Sequence, residues 1–225
     1  MDYAGFPRAA LGYLADLEAN NDRGWFEAQR AVYDTLWLGV GLDLIAALSA
    51  PCSHLRPPLL AVPKLNASLR RIHRDVRFSR DKRPYDARLH IILSTGPAFN
   101  RAPGVHLVIG PASFGFGAGA YGLGPDQLDR YRRFVSTSEG RQEFEALLAA
   151  AASVGADLDP PELARPPKGY DTAEWDGMIR RKSVIVRAPK DQAHPGWLFG
   201  PDAVEGLMTL VRALNPLTHW LQRIL

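Results

Sequence analysis

Residues 88–121 read RLHIILSTGPAFNRAPGVHLVIGPASFGFGAGAY, and they determine the fold class that we predict. Residues 88–95, 104–110 and 113–121 are rich in β-branched, aromatic and other apolar side chains, and short turns with Gly and Pro separate them. Residues 68–73 show a similar pattern just upstream. Four such strands joined by short connections predict an antiparallel meander.

Helical patterns flank these strands on both sides. Apolar spacing predicts helices over residues 7–17 and 22–48 before the strands, and over 125–136, 138–153 and 201–225 after them. Asn20, Asn21 and Asp22 stop the first helix and can cap the second, and Asn215–Pro216 predicts a break in the last. Short strands are predicted at 59–62 and 182–187. We predict an α+β fold: residues 1–225 form a single domain whose central, mainly antiparallel sheet is packed by N-terminal and C-terminal helices.

Composition excludes several classes of protein. The chain has 225 residues, of which 46% are hydrophobic and 23% charged, so it is neither fibrous, low-complexity nor wholly disordered. Its single cysteine, Cys52, cannot form an intramolecular disulfide, which excludes a disulfide-framed secreted domain. The first seven residues lack the pattern of a signal peptide, and the most apolar window, residues 36–48, is shorter than the roughly 20 residues that span a bilayer. We expect a soluble, cytoplasmic protein without a membrane partner.

Positive charge is concentrated in one segment. From Lys64 to Arg88 there are nine basic and three acidic residues, a net charge of +6, whereas the whole chain carries +3 and the other 200 residues therefore carry −3. A concentrated basic segment on a slightly acidic molecule indicates an anionic partner. The alternative is a solvated basic face without a ligand.

Residues 71–85, RIHRDVRFSRDKRPY, are the most unusual part of this segment, and we call them the basic loop. Arg74 and Arg77 can form bidentate hydrogen bonds to phosphate or carboxylate, while Asp75 and Asp81 can hold the arginines in place. The candidate ligand-binding residues of the loop are Arg71, Arg74, Arg77, Phe78, Ser79, Lys82 and Tyr85. The alternative is a network of Arg–Asp pairs that only attaches the loop to the sheet.

Four motifs resemble a known family, the conserved hypothetical proteins catalogued as domain of unknown function 2461. They are Asn20–Asn21 with Trp25–Phe26 and Tyr33, the basic loop, Pro167–Lys168–Gly169–Tyr170–Asp171, and Pro216–Leu217–Thr218–His219–Trp220–Leu221, which follow the family's order along almost the whole chain. The chain departs from the family pattern at Asp86, where a lysine is usual, and after Asp171, where an Asp-His-Pro is usual. The resemblance implies a fold and the position of a site, but no activity.

These motifs add four candidate ligand-binding residues outside the basic loop. Asn21 either contacts a ligand or serves only in helix capping, and Trp25 either lines a pocket beside the loop or belongs to the core. Lys168 and Tyr170 either bring a cation and a hydroxyl donor to the same site or anchor their own loop.

The evidence for specific catalytic, phosphate-binding or metal-binding motifs is weak. Ser79 and Lys82 form an S-x-x-K pattern, but no Lys-Thr-Gly accompanies it, and the glycines of residues 115–124 favour close strand packing over a phosphate cradle. His90 and His106 lie on neighbouring predicted strands without a third ligand, and the cations around Asp75 and Asp81 compete with Mg²⁺. We predict no metal site, and the sequence indicates no particular cofactor.

Three hypotheses of function follow. The first is binding of a phosphate-bearing partner, either a nucleic acid or a nucleotide-like small molecule, through the basic loop. The second is an enzyme that acts on a phosphorylated or carboxylated metabolite, with Asp75 or Asp81 as general base. The third is a structural or interaction protein whose arginines and aspartates pair with one another. An enclosed pocket would favour the enzyme, and an open groove would favour a polymer.

Overall fold

The computed structural model of the protein describes residues 3–170 and 175–225. Within these residues it confirms a single α+β domain with an antiparallel sheet. Residues 1–2 and 171–174 lie outside the described residues. They include Asp171, the last residue of the Pro167–Asp171 motif.

The sheet has five antiparallel strands in the order β1-β2-β3-β5-β4. The strands are β1 Leu89–Ser94, β2 Gly104–Ile109, β3 Phe114–Ala120, β4 Asp157–Leu158 and β5 Val184–Arg187. The strands predicted at 88–95, 104–110, 113–121 and 182–187 are thus confirmed, and β4 was not predicted. The strands predicted at 68–73 and 59–62 are corrected to isolated bridges: Leu69 bridges Leu65 and Ile91, His73 bridges Tyr85, and Leu60 bridges Ser94.

The helices lie before, between and after the strands. They are α1 Arg8–Ala19, α2 Arg23–Ala28, α3 Arg30–Val32, a π-helix Tyr33–Gly39, α4 Val40–Ser53, α5 Pro125–Val135, α6 Ser138–Ala152, α7 Asp176–Ile179, a 3₁₀ helix Gly196–Phe199 and α8 Ala203–Ile224. The single helix predicted over 22–48 is therefore divided at Gln29, widened in the π-helix and extended past Pro51. Pro51 is tolerated because Leu48 and Cys52 beside it are buried in the core.

The break predicted at Asn215–Pro216 is also wrong, since α8 continues through Pro216. An internal proline costs a helix about 3 kcal/mol relative to alanine. Here Leu214 and Leu217 on either side are buried, and the packing of this apolar face outweighs the lost hydrogen bond.

Side chains alternate between the two faces of the sheet. Ile91 on β1 lies opposite Leu107 on β2, and Leu107 in turn lies opposite Phe116 on β3. These side chains are buried, and α8 and α4 pack against the sheet on this side. The opposite face carries His90, His106 and the glycines of β3, and we call it the outer face.

Residues Arg30–Ser53 form a helical run that is long and apolar enough, by composition alone, to cross a membrane. Core helices pass the same test, so this is weak evidence for a membrane span. Trp37, Leu44 and Leu48 of this run are fully buried in the core.

Two glycines of β3 allow its close pairing with β5. A Cβ at Gly117 or Gly119 would collide with the carbonyl oxygen of Val186 or Val184, and Gly119 has a φ of +149°. Glycine is therefore required at both positions. The expectation that these glycines serve strand packing is confirmed here.

Replacing Gly119 by Ala is expected to lower the free energy of unfolding by about 3 kcal/mol, because the new methyl group overlaps the β5 backbone. Urea denaturation measures the change. Gly115→Ala on the same strand is the matched control: the nearest atom to its new Cβ would be Val108 Cβ at 3.8 Å, so stability should be unchanged or slightly raised. Equal losses in the two variants would contradict this account of β3.

Candidate functional site

The basic loop leaves and rejoins the sheet beside β1. Leu69 bridges Ile91, and His73 bridges Tyr85 at the neck of the loop. The Arg74 amide donates to the carbonyl oxygen of Pro84 over 2.9 Å, which closes the neck. The residues beyond it, 75–83, project as a tip.

Asn21 anchors the neck to the N-terminal helices. Its side-chain amide donates to the carbonyl oxygen of Tyr85, and its side-chain oxygen accepts from the Tyr85 amide, both over 3.0 Å. The buried Tyr85 ring stacks on Phe26 of α2 with 4.2 Å between ring centroids. Asn21 and Tyr85 are both candidate ligand-binding residues, with helix capping as the alternative for Asn21, and the structure gives both of them this anchoring role.

Trp25 belongs to the same helical layer. Its half-buried ring stacks on Tyr13 of α1 at 6.0 Å, and its amide donates to the side chain of Asp22, the N-cap of α2. The cap is therefore Asp22 rather than Asn20 or Asn21, because Asn21 is held by Tyr85. Trp25 lines a shallow depression with Tyr13 and Asn20 on the helical surface, away from the charged side chains of the loop.

Three Asp-x-Arg pairs organise the charges. Arg77 bonds Asp75 through Nη2 at 2.7 Å, Arg83 bonds Asp81 at 2.9 Å, and Arg88 bonds Asp86 at 2.7 Å. Asp81 also accepts from Arg74 at 2.8 Å. The prediction that Asp75 and Asp81 hold arginines thus agrees with the geometry. Arg83 and Arg88 were missed as site residues, although the repeated Asp-x-Arg spacing was a signal for them.

These bonds make the two aspartates poor proton acceptors. The side-chain hydrogen bond from Arg77 lowers the pKa of Asp75 to about 2. Hydrogen bonds from Arg83 and Arg74 lower the pKa of Asp81 still further below its ordinary value. A general base works best with a pKa near the operating pH, so this arrangement counts against either residue as a base.

The tip of the loop is open to solvent. The Phe78 side chain is 95% exposed, and the guanidinium of Arg77 lies 5.8 Å from its ring centroid. Lys82 Nζ donates to the carbonyl oxygen of Val76 over 3.0 Å, and the Ser79 amide donates to the same oxygen, so both residues fold the tip back on itself. Arg71 is exposed beside the neck.

Lys168 and Tyr170 lie in a different part of the fold. The Tyr170 hydroxyl donates to Asp129 of α5 over 3.1 Å, and Lys168 is exposed in the same connection. Among residues 3–170 and 175–225, the structure does not bring either side chain into the network of the basic loop. For Tyr170 the anchoring alternative therefore fits the geometry.

His90 and His106 are adjacent on the outer face, as their strands predicted. His90 Nε2 lies 2.8 Å from His106 Nδ1. Burial, together with the charges of nearby arginines, lowers the pKa of His90 to about 3 and that of His106 to about 4, so both rings are neutral at physiological pH. The part of the chain that the structure describes contains no group of three metal-ligating side chains around them or elsewhere.

Replacing Asn21 by Ala is expected to lower the free energy of unfolding by about 2 kcal/mol, because both backbone groups of Tyr85 lose their partner. Urea denaturation measures the loss, and amide exchange within residues 73–85 should accelerate. Asn20→Ala is the matched control, since its exposed side chain bonds only to the Asp16 carbonyl and its loss should cost less than about 0.5 kcal/mol. Similar losses in both variants would contradict the anchoring role of Asn21.

The free energy of unfolding is also expected to fall as the pH is lowered from about 7 to about 5. The unfolded chain binds protons on both histidines below about pH 6.5, whereas folded His106 and His90 remain neutral until about pH 4 and 3. Urea denaturation at several pH values across this range gives the free energy of unfolding as a function of pH. The slope of this free energy against pH should be smaller in the double variant His90→Gln/His106→Gln. The exposed His54→Gln is the control, and an unchanged slope in the double variant would contradict the assignment.

No curated protein and no solved structure matches the chain. A family model described as a conserved hypothetical protein matches residues 9–220. This match includes the basic loop, its anchor Asn21 and the histidine pair. The chain therefore belongs to the family of conserved hypothetical proteins catalogued as domain of unknown function 2461.

Proposed function

We propose that this domain binds single-stranded nucleic acid through the tip of the basic loop. The observation that carries the proposal is the position of Phe78, which is almost fully exposed between cations. An exposed aromatic ring flanked by basic side chains is the combination with which proteins bind unpaired bases and their phosphates. Phe78 would stack on a base, and the arginines would contact the backbone.

The ion pairs of the loop orient its arginines without removing its charge. Residues 71–85 contain six basic and two acidic residues, a net charge of +4. Arg71 and Arg80 have no carboxylate within 4 Å among the described residues. Arg77 keeps a 77% exposed side chain although it is paired with Asp75. The loop therefore presents ordered but accessible cations to a polyanion.

The surroundings of the loop support an extended partner. A broad depression of about 630 Å³ lies between the neck of the loop and the turn after β2. It is lined by three arginines and four acidic residues: Arg74, Arg83, Arg88, Glu18, Asp81, Asp86 and Asp191. Each of these arginines is already bonded to an aspartate. Because its carboxylates offset its arginines, the depression adds room for an extended chain beside the tip rather than further positive charge.

The lowered pKa values of Asp75 and Asp81 weigh against the enzyme alternative with these residues as base. The purely structural alternative requires the charged network to stabilise the fold. Exposed ion pairs of this kind contribute little to stability because water and salt screen them, so stability is a weak reason for so many of them.

Phe78→Ala is expected to weaken binding of a fluorescein-labelled, mixed-sequence single-stranded oligonucleotide about tenfold, because a stacking contact is lost. Fluorescence anisotropy at low and near-physiological salt measures this. Duplex binding should change less, since paired bases do not unstack onto the ring. Phe78→Tyr should restore the affinity, and the thermal unfolding midpoint should stay constant because the side chain is exposed.

Arg77→Ala should also weaken binding, and it should lower the slope of log affinity against log salt by about one. Arg212→Ala is the matched control, because Arg212 is likewise an exposed arginine paired with a carboxylate, Glu205, but lies on α8. No binding at low salt, or equal affinities of Arg77→Ala and the unaltered protein, would overturn the proposal.

A further inference from the structure

The outer face of the sheet carries two rows of residues that run across the strands. The first row is Arg70, His90, Val108 and Gly115, and the second is Ile92, His106, Gly117 and Arg187. Arg70 joins the first row because Leu69 bridges Ile91 and the Arg70 amide donates to the His90 carbonyl oxygen. A basic residue thus lies on each side of the histidines and glycines.

A groove of about 490 Å³ runs along β3 on this face, and we call it the glycine groove. Gly115, Gly117 and Gly119 alternate along β3 and therefore share the outer face. The side chains of β2 and β5 lie two strand spacings apart, about 10 Å. Because the three glycines have no side chains, nothing from β3 fills the space between them. Peptide groups of β3 form a floor between them. His106 and Arg187 flank it at Gly117, Val108 lies beside Gly115 at one end, and Ile185 lies beside Gly119 at the other.

Gly115 is a glycine that the fold does not require. Its φ lies outside the left-handed region, and an added Cβ would have its nearest atom at 3.8 Å. This differs from Gly117 and Gly119, whose side chains β5 excludes. Glycine within a strand costs about 0.5–1 kcal/mol relative to alanine. The open space above Gly115 is therefore maintained without any packing reason within the protein.

The electrostatic field at the groove favours an anion. Arg70, Arg88 and Arg187 are the charged groups that disfavour a proton on the histidine pair. The same field stabilises a negative charge placed there. Arg88 and Arg187 line the groove and are paired with Asp86 and Asp159, whereas Arg70 does not line it and bonds the neutral side chain of Asn100. Lys190 and Asp191 line the groove as well, and their opposite charges offset each other.

The histidine pair adds hydrogen-bonding capacity to the wall of the groove. A neutral imidazole has one donor and one acceptor nitrogen, and the mutual bond uses one of each. The pair therefore retains one donor and one acceptor, on His90 Nδ1 and His106 Nε2, whichever tautomers are present. Both rings line the groove.

We propose that the glycine groove binds a small planar aromatic anion, a ring that carries a carboxylate or a phosphate monoester. The ring lies on the peptide floor of β3, and the anionic group meets the histidine pair, Arg88 and Arg187, which line the groove. The volume of the groove falls within the range of small-molecule sites. Phe78 and Arg77 do not line the groove, so this site is distinct from the tip of the basic loop, although Arg88 lines both the groove and the depression beside the neck.

The first test uses three probes of one shape: 2-naphthoate, 2-naphthyl phosphate and the neutral 2-naphthamide. NMR of the ring nitrogens of His90 and His106 reports whether a probe reaches the groove, and the titration gives its affinity. At least one anion should shift both histidines and bind about tenfold more tightly than the amide. The anion that binds more tightly shows whether the groove prefers a carboxylate or a phosphate monoester. No histidine shift with either anion, or equal affinity for the amide, would overturn the proposal.

The second test fills the groove without disturbing the fold. Gly115→Val places a strand-favouring side chain on the floor and should weaken binding of the stronger anion about tenfold while the unfolding midpoint is kept or raised. Gly12→Ala on α1, where an added Cβ meets nothing within 4 Å, is the control and should bind normally. Arg187→Gln, on the wall of the groove, should weaken binding of the anions but not of the amide. Unchanged anion binding in Gly115→Val would overturn the assignment.

Testing each variant with the ligand of the other site distinguishes the two proposals. Gly115→Val should leave oligonucleotide binding unchanged, and Phe78→Ala should leave naphthoate and naphthyl phosphate binding unchanged. Failure of oligonucleotide binding alone would remove the nucleic-acid function but retain the groove. Loss of probe binding in Phe78→Ala would show that the probes bind the basic loop, and would overturn the groove.

Discussion

The helices of this domain cover one face of the five-stranded sheet, and both candidate sites depend on that one-sided packing. Ile91, Leu107 and Phe116 meet the helical layer, so residues at the alternate positions of the same strands must face the other way. His90 and His106 are among these alternate residues. A shift of one residue in register would bury the histidines in the apolar core, at a large desolvation cost. The core thus fixes the chemistry of the outer face.

The basic loop depends on the same helical layer through one side chain. The side-chain amide of Asn21 forms the two hydrogen bonds that a paired strand residue would form: it donates to the Tyr85 carbonyl oxygen and accepts from the Tyr85 amide. Phe26 then covers the Tyr85 ring. Only the neck is fixed in this way, while the tip is held by its own Asp-x-Arg pairs at the surface. The loop therefore combines a rigid base with accessible cations, which lowers the entropy that a polyanionic partner must remove on binding.

The sequence predicted the parts of the structure that short-range patterns specify. The strands within residues 88–121 were predicted because turns with Gly and Pro separate their apolar runs. The basic loop was identified because positive charge is concentrated in it. The bond between Asn21 and Tyr85 joins residues 64 positions apart, which no local spacing specifies. The continuity of α8 through Pro216 was missed for a similar reason, since tertiary burial outweighs a local helix breaker. The missed elements are therefore those that long-range packing decides.

The two candidate sites differ in what surrounds their paired arginines, and this difference separates their ligands. In the basic loop each aspartate lies two residues from its arginine, so the pairs are local, exposed and easily shared with a passing phosphate. At the glycine groove Arg88 and Arg187 are also paired with aspartates, but two neutral histidines that are largely buried lie beside them. Charge that is less screened by water interacts more strongly over a short range. The loop is thus suited to a long, mobile polyanion, and the groove to a small anion that stays in place.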